Sequence, residues 1–438
     1  MKSMAQLEYH YGLKVRIYPS DHQKQIIKVN SDASRFIYNE MVAIGKELWQ
    51  LSRVRLPIDT VQDRIQQLKL RRNARQMSNH FQFLEDKRID SLAKANAIQN
   101  YYKAWKAFRK VHGTGVPKFH RKSYAWRYQT NCQYLKQKTA RLTNGTVFFE
   151  DCRHIVLPKL GRLRVKGSHQ RLLDRQNEIR IGTVTITKDA ADRFFVSLQL
   201  GSDTPFVSKL NRADRQIGID LNTENFLTAS DGQTIANPRC YRTIKGKLAK
   251  AQRILSRRQR RAKKEQRSLR ESKNYQKQRL LVAKIHARVF DRRHDFLQRT
   301  STTLIKNQDL VVAEELRSKN LLKNHALAMS IADVGWRSFL NMLAYKADLY
   351  GRQFITVSPE NTTQTCHDCG FVMGSDGTEK LTLADRKWTC PQCHTHHIRD
   401  HNAALNILEK RIPETTKSPA QRLDSFLWQP GNVKGIGN

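Results

Sequence analysis

Hydrophobic and polar positions in the first half of the chain predict one strand, a helical block and then several strands. Residues 8–18, "YHYGLKVRIYP", alternate as a half-buried strand does. Ser20 and Gln23 have the spacing of a capping box, and helical periodicity follows, continuing over 57–112. Short β-branched runs between turn residues predict strands over 118–210. We therefore predict a small β-barrel or sheet into which a helical domain is inserted.

The second half alternates apolar strands with helices. A strand that ends at Asp220 leads through short turns into two more strands, and a basic segment follows whose periodicity predicts one helix to about residue 306. Next come a buried strand at 309–316, a helix at 334–351, another strand, and a last helix from Asp400. This alternation predicts a mixed α/β domain.

The charge of the chain points to a polyanionic partner. There are 79 Lys and Arg residues against 39 Asp and Glu, a formal net charge of +40. A compact body with this charge repels itself unless a polyanion lies against it and releases its condensed counterions. Nucleic acid is the first candidate, and an anionic membrane surface is the alternative. No stretch approaches the ~18 apolar residues of a membrane span, and the charge is spread over the whole length, which favours nucleic acid.

Four of the seven cysteines form two CxxC pairs separated by twenty residues: Cys366, Cys369, Cys390 and Cys393. Two such pairs predict a tetrahedral zinc site with four sulfur ligands, which is closed and therefore structural. Because four cysteines saturate zinc, the nearby histidines are predicted to be surface residues or phosphate contacts: His367, His394, His396 and His397. The odd number of cysteines and their clustering argue against a disulfide framework and for a reducing compartment.

Three acids form a second constellation in this basic chain. Asp220 and Glu314 each end an apolar strand, and Asp400 opens the last helix. Taken singly they have ordinary explanations, as a turn residue, a surface acid beside Glu315 and a helix cap. If they converge at one sheet edge, they would repel each other unless cations lie between them. Two Mg²⁺ ions ~3.5–4 Å apart are the usual arrangement for cutting phosphodiesters. The order of these elements is that of an RNase H-like nuclease with a zinc ribbon before its last helix.

At this point the chain resembles a family. "GIDLN" (218–222), "VVAEEL" (311–316), the cysteine pairs and "RDHNAALNI" (399–407) resemble TnpB, the RNA-guided nuclease of bacterial insertion sequences. TnpB is similar in its RuvC-like core to type V CRISPR effectors. The resemblance runs from about residue 10 to 410. It departs from the family pattern at Asn222, where glycine is common, and at "NTTQTCHDCG", where paired serines usually precede the first cysteine.

The resemblance implies roles for individual residues. It places the three catalytic acids on Asp220, Glu314 and Asp400, with Glu315 as second choice to Glu314, and it implies that Asn402 hydrogen-bonds behind them. The Arg-rich helix predicted over 242–270 is a natural clamp on a nucleic-acid backbone, with a merely solvated face as the alternative. Its candidate contacts are Arg253, Arg257, Arg258, Arg260, Arg261, Lys263 and Lys264.

The resemblance also implies partners and cofactors. The chain would bind a guide RNA copied from the transposon end and cut double-stranded target DNA beside a short motif, with base pairing reading the sequence. It would carry two Mg²⁺ ions at the acids and one structural Zn²⁺. We expect a monomer in the bacterial cytoplasm, associated with the nucleoid, since the N-terminus lacks the features of a secretory signal.

The predicted fold class is α+β multidomain: a small β-barrel with an inserted helical domain, then an RNase H-like (RuvC) mixed α/β core with an inserted zinc ribbon. The predicted domains are the first part of the barrel (wedge) domain, 1–30; a helical recognition domain, 31–117; the rest of the barrel, 118–212; the RuvC-like core, 213–365; the zinc ribbon, 366–393; the final RuvC helix, 394–412; and a polar tail, 413–438.

Other functions stay open. A nuclease-inactive RNA-guided repressor would be marked by loss of an acid, and all three acids are present. A compact CRISPR-associated effector is not distinguished by sequence. A single-strand transposase uses a His-hydrophobic-His metal site, which "HTH" at 394–396 mimics, but with threonine in the middle.

The aromatic residues of the helical block are predicted to be core in preference to base-stacking residues: Tyr101, Tyr102, Trp105 and Phe108.

Overall fold

The computed structural model describes residues 2–54, 59–134, 142–315, 333–382 and 384–410. The chain divides into two compact units, Met1–Phe206 with Arg253–Lys284 and Val207–Gln252 with Ile285–Asn438. The predicted polar tail lies outside the described residues. Within the described ranges, every helix is too short or too polar to cross a membrane.

The first unit contains a seven-stranded antiparallel sheet in the order β2-β6-β7-β1-β5-β4-β3. The backbone N–H of Thr146 donates to the carbonyl of Gln133 at 2.9 Å, so the segment after β2 bonds to the segment before β3 and the sheet curls. Its strands are β1 Tyr9–Tyr18, β2 Trp126–Asn131, β3 Phe148–Asp151, β4 His154–Leu157, β5 Gly161–Lys166, β6 Arg180–Lys188 and β7 Phe194–Ser202. The strands predicted at 8–18 and over 118–210 are confirmed.

The helices of this unit include a long capped one. The capping box is confirmed: the backbone N–H of Gln23 donates to Ser20 Oγ at 3.3 Å and that of Ser20 to Gln23 Oε1 at 2.9 Å. Tyr101 is in the helical core as predicted and Trp105 packs against that core, but the prediction is wrong for Tyr102 and Phe108, which are 37% and 39% exposed. The helices are α1 Asp21–Leu51, α2 Asp59–Leu70, α3 Ala74–His80, α4 Ser91–Lys110 and the short α5 Gln170–Leu173.

The second unit contains a mixed five-stranded sheet in the order β10-β9-β8-β11-β12. Strands β8, β11 and β12 are parallel, and β9 and β10 continue the sheet in antiparallel fashion. The strands are β8 Gln216–Asp220, β9 Asn225–Ala229, β10 Thr234–Ala236, β11 Leu310–Glu314 and β12 Gln353–Val357.

Helices cover both faces of this sheet. Because side chains alternate along a strand, Ile219 and Val311 face the core that contains Phe339, whereas Val312 packs with Ile407 on the opposite face. The remaining helices are α6 Lys245–Lys264, α7 Lys273–Asn307, α8 Trp336–Tyr350 and α9 Arg399–Glu409. A two-stranded ribbon, β13 Lys387–Thr389 and β14 His396–Ile398, precedes α9.

The prediction of one continuous helix to about residue 306 is wrong, because α6 ends at Lys264 and α7 begins at Lys273. Gln266 has a φ of 50°, its N–H donates to Lys263 O at 3.1 Å, and the N–H of Arg267 donates to Ala262 O at 2.9 Å. These two bonds are those of a Schellman cap. Glycine usually occupies the left-handed position of such a cap, so the sequence carries no ordinary stop signal here.

Candidate acidic site and cysteine cluster

The register of two parallel strands brings Asp220 and Glu314 side by side. Ile219 pairs with Ala313, so the next residue of each strand lies at the carboxyl end, on the same face of the sheet. Neighbouring strands are about 4.8 Å apart, which sets the approach of the two acids. This is the face that α9 covers.

Asp400, in the first turn of α9, joins them. The pKa of Asp220 is raised to about 7, first by burial and then by the charges of Glu314 and Asp400. Asp220 is 7% exposed. The structure therefore brings the three predicted acids within electrostatic range of one another at one end of the sheet.

Glu314 is held by a threonine from the loop after β12. Thr362 Oγ1 donates to Glu314 Oε1. Burial raises the pKa of Glu314, and the bond from Thr362 and the charge of Lys410 oppose this shift only in part. Glu315, the second choice, is exposed, and its backbone N–H donates to Val357 O at 2.8 Å. Alternation along the strand therefore turns the side chain of Glu314, and not that of Glu315, towards the other acids.

Two arginines lie against Asp400. Arg399 Nη2 is 3.3 Å and Arg386 Nη1 is 3.5 Å from its carboxylate oxygens. Arg399 is buried and also donates to Thr382 O at 2.8 Å, whereas Arg386 is partly exposed and also pairs with Glu224 at 3.0 Å. Neither arginine was predicted from the sequence, although Arg399 directly precedes the acid.

Asn222 is a third residue that was not assigned to the site from the sequence. Its side chain hydrogen-bonds Asp220 and lowers the pKa of that carboxyl, opposing the effect of burial. Its Nδ2 also donates to Thr228 Oγ1 at 3.2 Å, and its Oδ1 accepts from the N–H of Asn225 at 2.9 Å. The departure from glycine at this position therefore adds a polar contact to the first acid.

The structure places Asn402 against the cysteine cluster. Its Oδ1 accepts from the N–H of His367 at 2.9 Å, and its Nδ2 donates to Thr365 O at 2.7 Å. Asn406, one turn later, donates to Thr362 O at 2.9 Å and also to Thr365 O at 2.7 Å. In the described part of the chain, the hydrogen bonds of Asn402 reach the backbone on either side of Cys366 and none of the three carboxylates.

The four cysteine sulfurs lie within 4.8 Å of one another. Cys366 Sγ is 3.6 Å from Cys393 Sγ, and Cys369 Sγ is 3.5 Å from Cys390 Sγ. Zn–S bonds of about 2.3 Å in a tetrahedron separate sulfurs by about 3.8 Å. The cluster therefore fits one structural Zn²⁺ ion.

His397 is not the surface residue that the sequence predicts. It is 7% exposed, its Nε2 is 3.0 Å from Cys366 Sγ, and its ring centroid is 4.7 Å from that of Trp388. The β13–β14 pairing turns this side chain inwards, and alternation leaves His396 exposed. His394 is exposed as well, and His367 is half-buried.

The predicted contacts on the basic helix differ in availability. Arg258 is half-buried and donates to Asn274 O at 2.6 Å, and Arg261 pairs with Glu265 at 2.8 Å. The other five cations are exposed, and the described residues show no ion pair for them: Arg253, Arg257, Arg260, Lys263 and Lys264.

Three family models match separate segments of the chain. The OrfB_IS605 model, described as "Probable transposase", matches residues 199–325. A helix-turn-helix model of the same OrfB_IS605 group matches residues 9–53. The Cas12f1-like TNB domain matches residues 336–407, which include the cysteine cluster and most of α9.

Curated relatives carry names of one kind. A Streptomyces pristinaespiralis protein named as an RNA-guided DNA endonuclease is 40% identical over 227 residues, 52% of each chain. The Escherichia coli protein named as the RNA-guided DNA endonuclease InsQ is 25% identical over 414 residues, 91% of each chain. The chain thus spans about half the length of the first of these relatives.

Among solved structures, the chain is similar to Cas12f1 in a cryo-EM complex with sgRNA and target DNA. The TM-score is 0.53 at 13% identity, and the match covers 91% of this chain and 98% of that chain. The fold is therefore mixed α/β and multidomain, and it resembles that of Cas12 effectors. The predicted resemblance to TnpB is confirmed by the family models and relatives, and the predicted RNA-guided DNA endonuclease agrees with their names.

Proposed function

We propose that this chain is an RNA-guided, metal-dependent DNA endonuclease of an insertion sequence. The observation that carries the proposal is the meeting of Asp220, Glu314 and Asp400 at the carboxyl ends of β8 and β11. A buried carboxyl such as that of Asp220, whose pKa is raised by burial and by two neighbouring acids, marks a place where cations are needed. The names of the relatives supply the substrate class.

The finer fold belongs to this proposal. In chain order, β9 is antiparallel to β8 and β10 to β9, and β11 and β12 then lie parallel to β8. This five-stranded sheet is the RNase H-like (RuvC) core, and the ribbon before α9 is its inserted zinc ribbon. The curled seven-stranded sheet is the wedge barrel that receives the helical recognition domain. The domain boundaries given by the sequence stay predictions.

The acids fit Mg²⁺, which prefers oxygen ligands. Asp220, Glu314 and Asp400 would hold two ions, which when bound lower the pKa of the attacking water and stabilise the leaving oxygen. The chain's own residues prepare this site. Thr362 orients Glu314, Asn222 hydrogen-bonds Asp220, and Arg386 adds positive charge beside Asp400.

The partners are a guide RNA derived from the transposon end and double-stranded target DNA. The net charge of +40 suits a protein that holds both. The exposed cations of α6, from Arg253 to Lys264, would contact backbone phosphates. A monomer in the bacterial cytoplasm, associated with the nucleoid, completes the proposal.

The test is RNA co-purification followed by plasmid cleavage. The protein is expressed with its native flanking DNA, the bound RNA is sequenced, and Mg²⁺-dependent cutting of a matching target is measured. Asp220→Ala should bind the target without cutting it. Asp231→Ala, which removes an exposed acid in the β9–β10 turn, should cut as wild type does.

Three results would contradict all or part of the proposal. A wild-type complex that binds its target without cutting would favour the nuclease-inactive repressor. Absence of a discrete RNA would leave a DNA-binding role only. An RNA that comes from a CRISPR array, with cutting retained, would identify the compact CRISPR effector instead.

A further inference from the structure

A cavity of about 190 Å³ lies in the second unit, where the segment entering α6 faces α7. Three of the six residues that line it are cations: Lys247, Arg288 and Arg292. Ile244 and Ile285 supply an apolar wall, and Thr243 completes the lining.

The three cations have no anionic partner among the described residues. None of them takes part in an ion pair there, and the lining contains no acid. Arg288 and Arg292 are four residues apart on one helix, a spacing at which like charges destabilise the helix. The arrangement therefore concentrates positive charge at one cavity, which suits the binding of an anion.

We propose that this cavity binds a phosphodiester of a bound nucleic acid, with its sugar against the isoleucine wall. Arginine donates two parallel hydrogen bonds to phosphate oxygens, and two arginines with one lysine can satisfy a single phosphate. The volume equals that of roughly six waters in the liquid, enough for a phosphate with part of its pentose. The inference rests on the proposed function for its ligand, and the phosphate belongs either to the guide RNA or to the target DNA.

The experiment compares Arg288→Gln/Arg292→Gln with wild type. The matched control is Arg299→Gln, on the same helix, because Arg299 is exposed and already paired with Asp295 at 2.9 Å. Affinity is measured by fluorescence anisotropy for the RNA that co-purifies, and for the matching DNA duplex added to the complex, over a series of salt concentrations. The double variant should weaken one of these affinities at least about tenfold and reduce its salt slope by about 0.7–0.9 for each phosphate that is no longer neutralised.

A second pair of variants leaves the arginines in place. Thr243→Glu puts a negative charge into the cavity, whereas Thr243→Gln adds the same bulk without charge. Of these two variants only the glutamate variant should weaken binding, and thermal melting should show every variant to be at least as stable as wild type.

The outcomes identify the source of the phosphate. Weakened RNA binding assigns it to the guide RNA, and weakened duplex binding with intact RNA binding assigns it to the target. Both affinities unchanged in a folded double variant would overturn the proposal. If wild type co-purifies no discrete RNA, the proposed function fails. The cavity is then tested with labelled single-stranded RNA and duplex DNA of arbitrary sequence, and unchanged binding of both would overturn the cavity proposal too.

Discussion

At the scale of single residues, burial and like charge determine the state of the acidic site. The pKa of Asp220 is raised to about 7 because this residue is buried beside two other acids, although Asn222 opposes the shift. Ionising a carboxyl of this kind lowers the stability of the metal-free protein. A bound cation would neutralise the carboxylate, lower its pKa and so release the proton.

Asp220→Asn should therefore stabilise the metal-free protein in a pH-dependent way. The folded pKa, about 7, lies above the ordinary value of 3.8, so the folded state binds more protons and stability falls as pH rises through this window. The variant should melt at a higher temperature than wild type above pH 7 and show little gain near pH 4. Melting curves in a chelator measure this. An equal gain at both pH values would contradict the assigned pKa shift.

Gly218 is required by close packing. A Cβ atom there would overlap the carbonyl oxygen of Ala404 and lie 2.9 Å from the backbone nitrogen of Leu408. We expect Gly218→Ala to cost about 1–3 kcal/mol of unfolding free energy, as overpacking does, and to displace α9 with its Asp400. Chemical denaturation measures the loss.

The control for this substitution is Gly12→Ala in β1, where a Cβ meets no atom within 4 Å. It should leave stability within about 0.5 kcal/mol of wild type. A loss of equal size in both variants would show that the packing of α9 is not the cause.

At the scale of elements, α9 joins the cysteine cluster to the acids. Its first turn carries Asp400, whereas Asn402 and Asn406 bind the loop that leads to Cys366. The same loop carries Thr362, which holds Glu314. The two sites therefore share one loop and one helix.

Asn406→Ala should weaken the acidic site without touching it. The change removes the donor of two hydrogen bonds to Thr362 O and Thr365 O, a loss of about 1–3 kcal/mol in unfolding free energy. Because the loop then moves Thr362, cleavage should need more Mg²⁺ for half-maximal rate. Rates over a series of Mg²⁺ concentrations measure this effect.

Glu379→Gln, an exposed change in the segment between Cys369 and Cys390, serves as the control and should leave the Mg²⁺ requirement unchanged. Removal of zinc by a chelator that spares Mg²⁺ should act in the direction of Asn406→Ala. A zinc-free protein with the wild-type Mg²⁺ requirement would show that the cysteine cluster and the acids are independent.

At the scale of the whole molecule, charge governs binding. With a net charge of +40, affinity for nucleic acid is expected to fall linearly on a plot of log K against log salt. The exposed cations of α6 should contribute to that slope, whereas cations already paired within the protein should not.

Replacing Arg253, Arg257, Arg260, Lys263 and Lys264 by Gln should therefore lower the slope. The expected decrease is about 0.7 for each single-strand phosphate that these cations neutralise in wild type, or about 0.9 for each duplex phosphate. Anisotropy titrations with RNA and with duplex DNA measure it. The control replaces Lys24, paired with Asp21 at 2.8 Å, and Arg299, paired with Asp295. A slope that falls by the same amount per charge removed in both variants would indicate that only total charge matters.

Local patterns were sufficient to predict much of this protein. The alternation of β1, the capping box of α1 and the spacing of Cys366 to Cys393 depend on neighbours in sequence, so periodicity and ligand chemistry reveal them. The two apolar strands, one ending at Asp220 and the other at Glu314, were predictable for the same reason. The sequence also indicated the family, through motifs that combine such local signals.

Only the tertiary structure decided the rest, because it depends on residues far apart in the chain. The register of β8 against β11 selects Glu314 over Glu315 for the acidic site. The ribbon buries His397, and long-range bonds direct Asn402 to the cysteine cluster. The cap at Gln266 ends α6 through a left-handed backbone geometry that glutamine rarely adopts. The residue type therefore did not predict the end of the helix.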